Sequence, residues 1–154
     1  MLHSSITCFD NFFPKSMYDY ILKDSKSNWQ LRDNFIYKDL KESFFTQDCL
    51  VLMQDKIQKN ISLYRGYAHG YKYDNHYIHQ DNNATHTAIL FVADEYEEEW
   101  LGGTIVYTDK VNYLSFAPNK LIVFDANLRH VGSNFQNTDN FRIQYIWKIN
   151  VRNF

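Results

Sequence analysis

The sequence predicts a mainly β (α+β) fold, an antiparallel barrel or double-stranded β-helix (jelly roll) with N-terminal supporting helices. Three observations carry that reading. Aromatic residues reach 18%, with 12 Tyr and 12 Phe, which suits strands and an aromatic-lined interior better than a helix bundle. From Ile61 onward the apolar residues follow period two in short runs separated by turn residues. No repeat, low-complexity tract or Pro/Gly/Ser linker divides the 154 residues. A single domain over 1–154 is therefore expected, with helical support over about 1–60 and the jelly-roll core over about 61–151.

The N-terminal third reads as helical. Pro14 can open a helix over Lys15 to Asp24, where Met17, Tyr20 and Ile21 share a face. A second helix is expected over Asp48 to Asn60, burying Val51, Met53 and Ile57. Between them, Trp29 to Tyr37 alternates as a strand or irregular edge. Seven strands follow, over Ile61–Tyr67, Tyr77–Asp81, His86–Ala93, Gly103–Tyr107, Tyr113–Phe116, Leu121–Phe124 and Phe141–Val151. Turn residues fall between them at Asp74-Asn75, Asp81-Asn82-Asn83, Gly102-Gly103, Pro118-Asn119 and from Gly132 to Asn140. Many short strands after two helices suit a closed or double-layered antiparallel sheet.

Charge and cysteine usage narrow the function classes. A formal net charge of −2 offers no global field for nucleic acid or an anionic membrane. Cys8 and Cys49 form neither a CxxC nor a disulfide framework. The first residues lack a basic start followed by an apolar run, and no stretch approaches the ~20 apolar residues of a membrane span. A cytoplasmic, reducing location is the expectation.

The chemistry centres on His79-Gln80-Asp81, at the end of an expected strand. Alternation puts His79 and Asp81 on one face, where an imidazole and a carboxylate can share a metal ion. His130 follows the apolar run Leu121–Phe124, and a jelly roll brings such distant strands side by side. Two histidines and a carboxylate on one face form the facial triad that suits non-haem Fe(II) and leaves coordination positions open. Arg142 lies among apolar neighbours on the last strand. It either meets an anion in the interior, where a planar guanidinium suits a carboxylate, or points outward from a half-exposed strand.

HxD, a Gly-Gly turn, an apolar strand leading to His, and Arg on the last strand together resemble the 2-oxoglutarate and Fe(II)-dependent dioxygenases, best the prolyl 4-hydroxylase-like branch. The resemblance runs from about Leu63 to Ile149. It includes the strand from Ala88, the acidic Trp-containing turn, Gly102-Gly103-Thr104, and Lys120-Leu-Ile-Val-Phe-Asp125. It implies that His79, Asp81 and His130 bind Fe(II) and that Arg142 pairs with the C5 carboxylate of 2-oxoglutarate. O₂ would be the oxidant, ascorbate an optional reductant, and succinate and CO₂ the products. Retention of Asp81, which halogenating relatives replace, implies hydroxylation of a prolyl or other amino-acid side chain. Many relatives carry Tyr where Phe91 stands and Ser where Gln144 stands, and the turn lacks the acidic residue before Thr104. Gln144, Tyr67, Tyr71 or Thr87 are the expected replacement donors.

Other residues carry a structural reading first. His69, Tyr71, Tyr73, His76 and Tyr77 are either an active-site rim or loop aromatics packing on the sheet. His86 is not expected as a ligand. Asp94 to Glu99 reads as a solvated turn with Trp100 beneath it, and Arg129 faces away from His130. The stretch Val131 to Asn140 is a lid candidate. The expected partner is a peptide, an amino acid or another small molecule. A nucleobase oxygenase, a cupin-like metal enzyme not using 2-oxoglutarate, and a non-catalytic binding module are the alternatives.

Overall fold

The computed structural model describes residues 5–32, 35–41, 43–72 and 77–153. The supporting part comprises β1 (Ile6–Phe9), α1 (Lys15–Asp24), β2 (Gln30–Arg32), β3 (Phe35–Asp39) and α2 (Phe44–Ile57). The remainder comprises β4 (Asn60–Tyr71), β5 (His86–Val92), a 3₁₀ turn (Glu98–Trp100), β6 (Thr104–Tyr107), β7 (Val111–Leu114), β8 (Leu121–Asp125), β9 (Arg129–Gly132) and β10 (Arg142–Arg152). The described residues form two antiparallel sheets, a large one in the order β1-β8-β5-β10-β4-β3-β2 and a small one in the order β7-β6-β9. Non-consecutive neighbours from β1 through β8, β5 and β10 to β4, with β4, β3 and β2 following as consecutive neighbours at the edge, give the double-layered jelly-roll topology that the strand pattern predicts.

The central strands of the large sheet, β8, β5 and β10, are buried on both faces, which explains their apolar runs. On β5, Ala88, Leu90 and Val92 pack with the helices' Ile21, Phe45 and Met53. Ile89 and Phe91 point the other way, against Phe116, Phe124 and Val106 between the sheets. Burying a Leu or Phe side chain in this way contributes about 1.5–3 kcal/mol. Strand β10 is two-sided in chemistry as well. Tyr145, Trp147 and Ile149 join the helix-side core, so alternation turns Arg142, Gln144, Ile146 and Lys148 towards the small sheet. That row becomes one wall of the site.

Several elements differ from the sequence reading. The second helix starts at Phe44 and ends where Gln58 takes a left-handed conformation (φ 55°), so Lys59 lies outside it. Val51 is exposed, whereas Cys49, Leu50 and Met53 are buried. Residues 77–81 form no strand: His79 makes a single bridge to His130, and Asp81 N–H already turns to Ala126 O at 2.8 Å. Trp29–Tyr37 contributes to two strands, β2 and β3, and no local pattern marks β1 or β9. The lid candidate is pinned along its first half. Phe135 is buried against Trp100 and Phe116, and Gln136 N–H donates to Trp100 O at 2.8 Å. Trp100 packs beneath the acidic turn as expected. Cys8 and Cys49 are free thiols, and no helix among the described residues is long and apolar enough to cross a membrane.

Candidate metal centre

The bridge between His79 and His130 fixes the first two members of the site. Each backbone N–H donates to the other residue's carbonyl, at 3.0 and 2.8 Å, and the two rings lie tilted at 55° to each other with centroids 4.4 Å apart. His79 Nδ1 lies 3.0 Å from Tyr77 O and His130 Nδ1 lies 2.9 Å from Leu128 O. A carbonyl only accepts, so each Nδ1 carries the proton and each Nε2 presents a lone pair. Asp81 completes the group, with Oδ1 4.0 Å from His79 Nε2 and Oδ2 3.4 Å from His130 Nε2. The three ligand atoms lie within 4.8 Å of one another. Burial lowers the pKa of His130 despite the nearby Asp81 carboxylate, which favours the neutral, ligating ring.

Asp81 is held from behind. Thr87 Oγ1 donates to its Oδ2 at 2.6 Å, and Lys148 Nζ donates to the same oxygen and lies 3.2 Å from Thr87 Oγ1. Burial works to raise the Asp81 carboxyl pKa, but the Lys148 charge and the two hydrogen bonds outweigh it and hold the group below the usual carboxylate value. Thr87 and Lys148 are neighbours across β5 and β10, which is why both reach one oxygen. Thr87, expected among the co-substrate donors, thus serves Asp81 instead. Lys148 was not singled out by the sequence reading. Its signal was present, since it shares the alternation of Arg142 and Gln144 in an otherwise apolar strand.

Arg142 points inward and is fully buried. Nε donates to Gly102 O, Nη1 to Tyr71 OH and to Gln144 Oε1 (2.6 Å), and Nη2 to Gly103 O (3.0 Å) and Thr104 Oγ1 (3.3 Å). All five guanidinium N–H groups therefore have protein acceptors. The Phe91 ring lies 5.5 Å from the guanidinium, and Tyr71, from β4 on the other side of β10, supplies the hydroxyl that Phe91 lacks. Gln144 Nε2 hydrogen-bonds with His69 Nε2.

A cavity of about 460 Å³ joins these parts. His79, His130 and Lys148 line one end, and Tyr71, Thr104 and Gln144 line the other, with Tyr67 and His69 between. Arg142 lies behind that lining, so its charge reaches the cavity through the groups it bonds. Burial, then the Asp81 carboxylate, raises the Tyr67 hydroxyl pKa, which keeps it a neutral donor. Of the expected rim, Tyr77 lines the mouth, whereas Tyr73 and His76 lie outside the described residues. His86 pairs with Asp125 at 3.0 Å, away from the cavity, and Arg129 is exposed.

No protein-family model matches the chain, and no curated protein matches it in sequence. Solved structures do match in shape. A 2OG-Fe(II) oxygenase family oxidoreductase from Burkholderia pseudomallei superposes with a TM-score of 0.72 at 10% identity, covering 95% of this chain and 84% of that one. The chain has the fold of the 2-oxoglutarate and Fe(II) oxygenases. HygX from Streptomyces hygroscopicus, with nickel, 2-oxoglutarate and hygromycin B bound, gives a TM-score of 0.71 at 8% identity over 95% of this chain and 82% of its own. A viral collagen prolyl hydroxylase from Paramecium bursaria Chlorella virus-1, in complex with 2-oxoglutarate, gives 0.67 at 13% identity over 95% and 96%. The jelly-roll reading of the sequence is borne out.

Proposed function

We infer that this chain is an Fe(II)- and 2-oxoglutarate-dependent oxygenase that hydroxylates a prolyl or other amino-acid side chain. One observation carries the reading: His79, Asp81 and His130 converge with both imidazole tautomers set to present Nε2. Two imidazoles and a carboxylate with room beside them suit non-haem Fe(II). At the far end of the cavity, Tyr71, Thr104 and Gln144 around Arg142 fit the C5 carboxylate of 2-oxoglutarate. Thr104 accepts from the guanidinium, so its own proton points away from Arg142 and can be donated. Bound together, the metal and 2-oxoglutarate would supply the oxidising power for C–H hydroxylation, with succinate and CO₂ released.

The chain's own residues orient these groups and enclose them. Ile89 and Ile146 line the cavity between its polar ends and keep that stretch apolar, which limits water there. The substrate enters past Tyr77 and Phe35, and the hydroxylase neighbours favour a peptidyl or amino-acid substrate. The test is Fe(II)-dependent conversion of 2-oxoglutarate to succinate, coupled to a mass-spectrometry screen for products carrying one added oxygen. No succinate from any substrate pool, with metal bound, would point to a cupin-like enzyme, and no metal binding to a non-catalytic module.

A specific feature favours a second reading. Tyr37 and Tyr67 stack with centroids 6.0 Å apart, and Arg32 and Arg65 lie 4.1 and 4.8 Å over their respective rings. Aromatic rings interleaved with guanidinium groups suit a nucleobase. Oxidation of nucleosides rather than peptides in the same screen decides for it.

A further inference from the structure

Two guanidinium groups stand beside the cavity without a carboxylate partner. Arg65 precedes Tyr67 by two positions on β4, so both occupy one face, and Tyr67 lines the cavity. The Arg65 guanidinium sits 4.8 Å from the Tyr67 ring centre, and its Nη2 donates to Tyr37 OH at 3.3 Å. Arg32, on β2, sits 4.1 Å from the Tyr37 ring centre. Both arginines are exposed, and among the described residues no carboxylate lies within ion-pair distance of either. Asp39 on β3 shares their face, but its Oδ1 accepts Lys41 N–H at 2.8 Å. The other cations on this face are already engaged, Lys148 with Asp81 and Arg142 with its five acceptors.

An exposed arginine ordinarily samples many rotamers. Here the rings fix both guanidinium groups, so less side-chain freedom is lost when an anion binds them. Arg65 also pairs in register with Lys148, which places it one strand, ~4.8 Å, from the residue that holds Asp81. An anion held there belongs to the reacting residue or to its neighbours along an extended chain, which advances ~3.3 Å per residue. We propose that Arg65, with Arg32 beside it, is a specificity-determining residue that receives a substrate carboxylate. The preferred substrate is then an amino acid or peptide with a negative charge at, or next to, the hydroxylated residue. This rests on the amino-acid hydroxylase reading above and names its substrate class. A planar guanidinium fork matches a carboxylate, whereas a base would have to stack on rings that guanidinium groups already cover.

The test measures succinate release by the Fe(II)-loaded full chain, with 2-oxoglutarate and matched pairs of sub-saturating substrate pools. One pair is capped peptides with Glu or Gln fixed beside a randomised central residue. A second is free amino acids and their carboxamides, and a third is nucleoside monophosphates and nucleosides. One carboxylate pool is expected to exceed its neutral partner about tenfold in rate, the size of a charge-assisted hydrogen bond. Which pair shows it separates a side-chain from an α-carboxylate source. Arg65→Gln is expected to bring that ratio close to one, and Arg65→Lys to keep part of it, whereas a structural loss would lower both members of a pair together. A wild-type ratio of one or below overturns the proposal, as does an unchanged ratio in Arg65→Gln. Should Arg65→Gln lose its cooperative melt, Arg32→Gln replaces it, and an unchanged ratio there overturns the proposal equally. A preference confined to nucleoside monophosphates overturns it too and favours the nucleobase reading. Should no pool release succinate, the oxygenase reading fails, and an NMR titration decides the arginine site by itself. N-acetylglutamate amide, and not N-acetylglutamine amide, is expected to shift the Arg65 Nε–Hε signal, and no shift overturns the proposal.

Discussion

At the scale of single residues, the site divides into groups that would touch the metal and groups that hold those in place. Because His130 Nε2 is one of three converging ligand atoms, His130→Ala is expected to weaken Mn(II) binding by at least ~100-fold, measured by calorimetric titration, with little change in the melting temperature of the metal-free protein. Arg142 behaves differently. Its five N–H groups satisfy two backbone carbonyls and three side chains, so Arg142→Leu strands several buried acceptors at once. The expected loss is about 3 kcal/mol or more in urea unfolding, together with weaker 2-oxoglutarate binding. A variant that stays fully stable would contradict the hydrogen-bond network described. Cys49 offers a simpler check: burial pushes its thiol pKa well up, so the native protein is expected to leave it unmodified by a thiol reagent until unfolding.

At the scale of elements, the Gly102-Gly103 turn shows how local conformation serves the site. Gly102 has φ +80°, and an added Cβ would meet the Phe135 ring at 2.3 Å, while its carbonyl accepts from Arg142 Nε. Gly102→Ala is expected to destabilise the fold by about 2 kcal/mol and to lower affinity for 2-oxoglutarate by loosening Arg142; chemical denaturation and a binding titration read the two effects. Element legibility followed periodicity. Strands β5, β8 and β10 were readable because they are long, apolar and bounded by turn residues. The bounds of α1 were readable to the residue, since Pro14 marks its start, but its buried face carries Tyr18 and Ile21 while Tyr20, expected beside Ile21, is exposed. Strand β9 was not readable, because Arg129–Gly132 is short, polar and held mainly by its neighbours. Residues 77–81 looked like a strand but carry only the His79–His130 bridge, a pairing set by a segment distant in sequence.

At the scale of the whole molecule, two sheets enclose a cavity whose ends carry different chemistry, the converging histidines and Asp81 at one and the Arg142 cluster at the other. Ligands that bind the folded state alone stabilise it by mass action, about 2.7 kcal/mol at a hundred times Kd. Mn(II) with 2-oxoglutarate is therefore expected to raise the melting temperature, and EDTA to reverse the gain. No shift at saturating concentrations would count against both binding ends. The sequence by itself determined the fold class, the candidate ligands His79, Asp81 and His130, and the shared face of Arg142 and Gln144, because alternation and turn residues are local properties. Only the tertiary structure decided that this face points inward, that all five donors of Arg142 are already engaged, and that Thr87 and Lys148 meet on a single oxygen of Asp81. Local period tells which side chains share a face; which face is covered, and by what, depends on pairings between strands far apart in the chain.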